Sequence, residues 1–209
     1  MTNTPIDEKY CAVLALGSNL GESEETLEYA VAQLQLEGMR LIAHSSLYVT
    51  APVGGPDQPD YINAVIEVAT DLDPYELLAA CHRVEQAHHR TREVRWGPRT
   101  LDIDIIAIEQ RPAEATDGAE NPWEPVLSTD PVLTLPHPRA RERAFVLVPW
   151  AEANPQALLP ISPDRKVAVI HQAYVVSRAD EAAGQNAVNP LRAMRAELIS
   201  PSAHKVAGE

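Results

Sequence analysis

The chain has 209 residues, 45% of them hydrophobic and 22% charged, and a formal net charge of −13 at pH 7. That length suits one domain, or one domain with a tail, and allows a sizeable core. The acidic balance argues against non-specific binding to nucleic acid or to an anionic membrane.

No apolar run has the length of a bilayer span, and residues 1–9 are polar with no signal-peptide pattern. Cys11 and Cys81 fall on apolar faces and read as reduced core residues, which makes a cytoplasmic protein the expectation. The positive charge is clustered. Eight of the 17 Lys and Arg residues are Arg83, Arg90, Arg92, Arg95, Arg99, Arg139, Arg141 and Arg143. An acidic protein with a local basic site points to a small anionic ligand.

Residues 10–16 read as an apolar strand that ends in the turn Gly17-Ser18-Asn19-Leu20-Gly21. A glycine-containing loop after a strand can cradle phosphate, but the phosphate-loop spacings are absent, and a tight strand-to-helix connection is the simpler reading. Ser23 is placed to cap a helix, with Glu24 and Glu25 in its first turn. Leu27, Ala30, Val31 and Leu34 recur at helical spacing, and Gly38 stops the run.

Residues 39–50 read as one strand, and 51–60 as a loop rich in Pro and Gly, a candidate lid. Residues 61–70 form a largely buried strand. Asn63 within it is either a hydrogen-bonded core amide or a side chain that reads the edge of a heterocycle. Asp73-Pro74-Tyr75-Glu76 supplies a cap, a first-turn proline and an N3 acid for a helix to about residue 89. His82, His88 and His89 invite a metal reading, but adjacent histidines at a helix end more often serve the macrodipole or solvent.

The basic loop 90–98 leads into a strand over 100–108. Side chains alternate faces along a strand, so Asp102 and Asp104 share one, about 7 Å apart along the chain, while Leu101, Ile103 and Ile105 point into a core. Two acids side by side repel unless a cation sits between them. Oxygen-only ligands suit Mg²⁺, which shares its shell with substrate phosphates. The guanidinium groups of Arg90, Arg92, Arg95 and Arg99 match phosphate oxygens. Alone, an Asp-x-Asp on a strand is more often an exposed polar face; beside the arginines it reads as phosphoryl-transfer equipment.

Residues 109–130 are an acidic surface excursion, 133–135 a short edge strand, and 145–154 a helix. A last short helix is expected over 166–174. From residue 177 the chain is Ala-rich and polar, which predicts a poorly ordered tail, 177–209, after a domain of 1–176. The order βαββαβ is that of a ferredoxin-like α+β fold, a mostly antiparallel sheet with helices on one face and the other face open for a site.

The run from Trp96 to Ile106 closely resembles the signature of the 6-hydroxymethyl-7,8-dihydropterin pyrophosphokinase family of folate biosynthesis. Leu16-Gly17-Ser18-Asn19-Leu20-Gly21, residues 48–63, and Leu135-Pro136-His137-Pro138-Arg139 with Arg143 and Phe145 agree in order, so the resemblance spans about residues 10–170. It implies transfer of the terminal diphosphate of ATP to the pterin hydroxymethyl group, with release of AMP. It implies that Asp102 and Asp104 bind two Mg²⁺, that Arg90 and Arg92 close over the phosphates, and that Arg99, His137 and Arg143 hold the triphosphate. Glu85 and His82 would lie by the nucleotide, the backbone of Ile105 and Thr134 would meet adenine, and Trp96 would seal the site. Tyr61 and Phe145 would stack on the pterin, and Asn63 would bond its edge with Asp102 and backbone groups near Thr50 and Val53. His82 departs from the Gln of many members, Pro138 from an aromatic and Val132 from an Arg.

The implied partners are the small-molecule substrates, with room for association with neighbouring folate-pathway enzymes. Read from the residues alone, two other classes stand beside this one. A different metal-dependent phosphoryl or nucleotidyl transferase would give Tyr61, Asn63 and Phe145 no common task. A non-catalytic ligand-sensing module would not need the Asp pair.

Overall fold

Tyr10–Ser18 forms β1, a strand apolar on both faces: Ala12, Leu14 and Leu16 pack to one side, Val13 and Ala15 to the other. Such a strand belongs in the middle of a sheet covered on both sides. The computed structural model describes residues 8–52, 57–88, 99–112, 123–162, 165–182 and 188–201. In it β1 pairs antiparallel with β4 (Tyr61–Thr70) along one edge and with β5 (Asp102–Gln110) along the other. β2 (Met39–His44) and β3 (Leu47–Thr50) both pair with β4, so the core sheet runs β3-β4-β1-β5. With α1 (Ser23–Leu36) and α2 (Pro74–Ala87) this is the ferredoxin-like βαββαβ arrangement.

The single strand expected over 39–50 is broken at Ser45 and Ser46. Ser45 Oγ accepts the Val65 amide at 3.0 Å and donates to Ser46 O at 2.7 Å, while the amide and hydroxyl of Ser46 both bond Glu152. Serine hydroxyls that serve backbone groups compete with the ladder. Glu22, not Ser23, takes the N-cap position of α1 and makes no side-chain cap bond, while Ser23 Oγ accepts from Ser18 Oγ. Gly38 ends the run at φ +98°. For α2 the expected box is present: the Asp73 carboxylate accepts from the Tyr75 and Glu76 amides, and Glu76 accepts from the Asp73 amide.

One face of the sheet packs on α1 and α2 through Leu27, Val31, Leu34, Leu77, Cys81 and Val84. The other was expected to lie open, but a second layer covers part of it. β6 (Glu124–Pro125) extends the sheet beyond β5, while β7 (Ser128–Thr129) and β8 (Thr134–Leu135) form a small hairpin. After them come α3 (Ala144–Ala153), the hairpin β9 (Leu158–Ser162) and β10 (Arg165–Ala168), and α4 (Val169–Ala182). Val146, Leu147, Trp150, Val169 and Ala173 from this second layer pack with Val13, Val65 and Ile106. Six of the ten residues of α3 are buried, and a helix apolar all round is a core helix. The helix expected over 166–174 starts later because 165–168 pair with β9.

Residues 188–201 also depart from the expected loose tail. They form β11 (Asn189–Arg192), paired with β3, and α5 (Ala196–Ile199), with Met194 and Ile199 in the core. Cys11 and Cys81 are free thiols, each pushed up to about 12, above all by burial. Among the described residues no helix is long and apolar enough to cross a membrane.

Asp73→Ala removes the acceptor of two amide donors at the start of α2. It is expected to lower the unfolding free energy by about 1 kcal/mol. Urea titration checks this, with an unchanged m-value showing that the denatured state is not the cause.

Candidate active site

The register sets the site. Tyr48 on β3 faces Asn63 on β4, Asn63 faces Gly17 on β1, and Gly17 faces Asp102 on β5. Directly opposed residues share a sheet face, so these four form one row. In the row below, Val65, Ala15 and Asp104 align. Both aspartates thus project to the side that carries α3, while Leu101, Ile103 and Ile105 enter the α1/α2 core as expected.

Gly17 puts no side chain in the middle of the row, and Asn63 approaches its backbone closely. A Cβ there would lie 3.2 Å from Asn63 Oδ1 and 3.9 Å from the Tyr61 ring. The backbones of Asp102 and Asn63 are two strand spacings apart, about 10 Å. A ligand could therefore reach from the carboxylates to the amide over bare backbone. Asn63 is itself fixed: its Nδ2 donates to Thr50 Oγ1 at 2.7 Å, and both residues are buried. The core-amide and edge-reading alternatives meet in one residue, with one N–H spent on orientation and Oδ1 turned toward Gly17.

The cations sit at the aspartate end. Arg99 pairs with Asp102. Arg143, at the N-terminus of α3, donates from Nη1 to Asp104 Oδ2 at 3.1 Å and lies 5.5 Å above the Phe145 ring. A β-bulge makes Ile106 the extra residue on β5, opposite the step from Val13 to Leu14, and its carbonyl accepts the His137 amide at 2.8 Å. Burial holds the His137 imidazole below its ordinary range, and Asp104 pulls the other way. The Arg139 amide donates to His137 Nδ1, which leaves the proton of the neutral ring on Nε2.

Glu85 is buried, and its Oε1 accepts the Ile103 amide at 2.8 Å, between the two aspartates. It thereby braces β5 from below. Ile105 lies mid-strand with its side chain in the core, and Thr134 lies on β8, its Oγ1 donating to Asp130 O. His82 is exposed, and His88 Nε2 meets Gln33 Oε1 at 2.9 Å. Among the described residues, His82 and His88 form no metal cluster. Arg90, Arg92, Trp96 and Val53, with Arg95 and His89, lie outside the described residues.

Two carboxylates on one face, oxygen-only and balanced by arginines, fit Mg²⁺ that takes its remaining ligands from water and phosphate. No group of three or more His, Cys, Asp or Glu among the described residues is placed to hold a metal unaided.

Asn19 does more than complete the tight turn expected from its neighbours. It is 3% exposed. Its Oδ1 accepts the Arg99 amide at 2.8 Å, its amide donates to Arg99 O at 3.0 Å, and its Nδ2 donates to Gln58 Oε1 at 3.0 Å and Pro59 O at 3.1 Å. Gln58 Oε1 also accepts the Tyr61 hydroxyl at 3.3 Å. A polar residue after two small ones at a strand end was the available signal.

The family model for 7,8-dihydro-6-hydroxymethylpterin-pyrophosphokinase (HPPK) matches residues 13–155. The chain belongs to this family. It is 42% identical over 142 residues to the 2-amino-4-hydroxy-6-hydroxymethyldihydropteridine pyrophosphokinase of Bacillus subtilis, a match covering 68% of this chain and 76% of the relative. It is 42% identical over 149 residues to the protein of the same name from Methylorubrum extorquens, covering 71% and 85%. Its fold is similar to a Plasmodium falciparum HPPK-DHPS crystal structure with pterin and p-hydroxybenzoate, with a TM-score of 0.60 at 15% identity, over 86% of this chain and 45% of that one. The family span holds the whole Tyr48–Asn63–Gly17–Asp102 row; residues 188–201 lie beyond it.

His137 gives a pH signature. Its folded pKa lies below 6.5, so the unfolded chain takes up the proton first as pH falls. The stability that this histidine contributes is present above 6.5 and lost as pH drops through the folded value. The difference in unfolding free energy between wild type and His137→Gln is expected to shrink from about pH 7.5 to about pH 5.5, read by urea titration. A difference independent of pH would rule out a neutral, half-buried imidazole.

Proposed function

We propose that this chain catalyses the Mg²⁺-dependent transfer of the terminal diphosphate of ATP to the hydroxymethyl group of 6-hydroxymethyl-7,8-dihydropterin, releasing AMP, in folate biosynthesis. One observation carries the reading: a carboxylate pair and a buried, oriented amide stand on one sheet face, with only the backbone of Gly17 between them.

Asp102 and Asp104 are the residues that would hold Mg²⁺, two ions on the family resemblance, which neutralises the polyphosphate and lowers the proton affinity of the attacking hydroxyl. That hydroxyl oxygen bonds the β-phosphorus as the link from that phosphorus to the α-phosphate oxygen breaks, in line. The hydroxyl proton passes to solvent and AMP leaves. Arg99 and Arg143 pair with the aspartates and would meet an incoming phosphate there. His137 Nε2–H donates to a phosphate oxygen. On the family resemblance, Arg90 and Arg92 would close over the phosphates and Trp96 would exclude water.

Asn63 reads the pterin edge, with backbone groups around Thr50 and Val53 on the family resemblance, and Tyr61 and Phe145 supply flat apolar surface for the ring. Thr134, His82 and the backbone at Ile105 face the nucleotide. Glu85 acts through β5, whose Ile103 amide it holds. The free thiols support a cytoplasmic protein. A neighbouring folate-pathway enzyme is the proposed protein partner, as the similar Plasmodium falciparum chain is an HPPK-DHPS protein.

Incubation with ATP, Mg²⁺ and the reduced pterin alcohol is expected to yield AMP and the pterin diphosphate by mass spectrometry. ADP as the sole nucleotide product would refute the assignment. Asp102→Ala is expected to slow the reaction more than about 100-fold, on the scale of removing a transition-state stabiliser. Asn63→Ala is expected to abolish pterin binding and spare ATP binding, measured by calorimetry.

A further inference from the structure

Helix α1 carries a glutamate that solvent does not reach. The Glu28 side chain is 0% exposed, and a carboxylate so buried persists only when paired. Its partners lie 164 and 167 residues further along the chain. Arg192 donates to Glu28 Oε1 at 2.7 Å and Oε2 at 3.2 Å. Arg195 donates from its side chain to Oε2 at 2.8 Å and from its amide to Oε1 at 2.6 Å. Burial pushes this carboxyl up, but the arginine hydrogen bonds outweigh burial and hold it at about 2. Arg192 also reaches Glu24, and Arg195 reaches Glu25. Around the lock, Met194 and Ile199 enter the core, and Gln35 donates to Ile199 O at 2.6 Å.

The far side of the same segment is β11. Asn189 pairs with Val49, Pro190 with Tyr48 and Arg192 with Leu47. Strand β3 is four residues long and meets β4 at three positions, Tyr48 to Thr50. Without β11 it would be a short edge, and short edges are weakly held. Thr50, its last residue, accepts the Asn63 amide. Contacts therefore run from Glu28 through Arg192 and β11 to β3, Thr50 and Asn63.

We propose that residues 188–201 are a positioning strap for the pterin end of the site: the lock on Glu28 holds β11 against β3, and β3 fixes the Thr50 hydroxyl that orients Asn63. Arg192 and Arg195 are positioning residues and touch no substrate. The strap lies outside residues 13–155, the span of the family model, so this chain's pterin end depends on a segment beyond the family span. The inference rests on the assignment of Asn63 to the pterin.

The test uses the full chain. Removing both arginines alone would strand a buried charge, so Glu28→Gln is combined with Arg192→Ala and Arg195→Ala; a single Arg195→Gln, which leaves Arg192 on Glu28, is the milder variant. The triple variant is expected to raise the pterin KM about tenfold, the scale of one lost orienting hydrogen bond. The ATP KM stays within about twofold, because the aspartate end is fastened separately. Hydrogen exchange of residues 47–52 accelerates, and Arg195→Gln shifts the pterin KM the same way by less. Both KM values rising together, or exchange accelerating with neither KM changed, would overturn the strap. So would unaltered exchange at 47–52. Asn63→Ala separates the two layers. If it raises the pterin KM and the triple variant does not, the strap alone fails; if it leaves the pterin KM unchanged, the assignment of Asn63 fails and the inference with it.

Discussion

A slip of one residue between β5 and β1 would turn Asp102 and Asp104 into the apolar layer under α1 and α2, and turn Ile103 and Ile105 out. The site depends on that register more than on any single bond. It is held from several directions. Ile103 and Ile105 are buried on one face, Glu85 holds the Ile103 amide from α2, and Ile106 bulges at the point where His137 attaches. Each of these would fail in a slipped strand. The chain uses ordinary core packing to present two acids that would otherwise repel each other.

The two ends of the site differ in support. The aspartates stand on β5, paired to β1 along most of its length and packed by both helical layers. Asn63 stands on β4, equally central, but the residue that orients it stands on the short β3. Between the two ends Gly17 supplies room and no chemistry. Rigid strands hold the charged groups, and the buried amide borrows its orientation from the short β3.

Much of this was legible in the residues because the signals were local. Alternation placed Asp102 and Asp104 on one face, and the Asp73-Pro74-Tyr75-Glu76 box marked the start of α2. What could not be read was set by distant partners. The break at Ser45 and Ser46 depends on Val65 and on Glu152, more than a hundred residues away from Ser46. The second helical layer arises because Val146, Leu147 and Trp150 find Val13 and Val65, a pairing no window of sequence contains. Residues 188–201 look like an Ala-rich polar tail because their anchors are few and their arginines match a glutamate on α1. Asn19 was missed because a turn asparagine is usually explained by the turn. The positions of Arg90, Arg92, Trp96 and Val53 lie outside the described residues.

Asn19 has one further consequence. A single side chain bonds the stretch that closes residues 51–60, through Gln58 and Pro59, and the residue that closes the basic loop, Arg99. The two connections flank opposite ends of the row, so a molecule that drew Asn19 away from one would change its hold on the other. Linkage makes such an influence mutual and equal in free energy. Cooperativity between two different ligands is thus available to this fold through three hydrogen bonds at the end of its central strand, with no second subunit and no domain rotation.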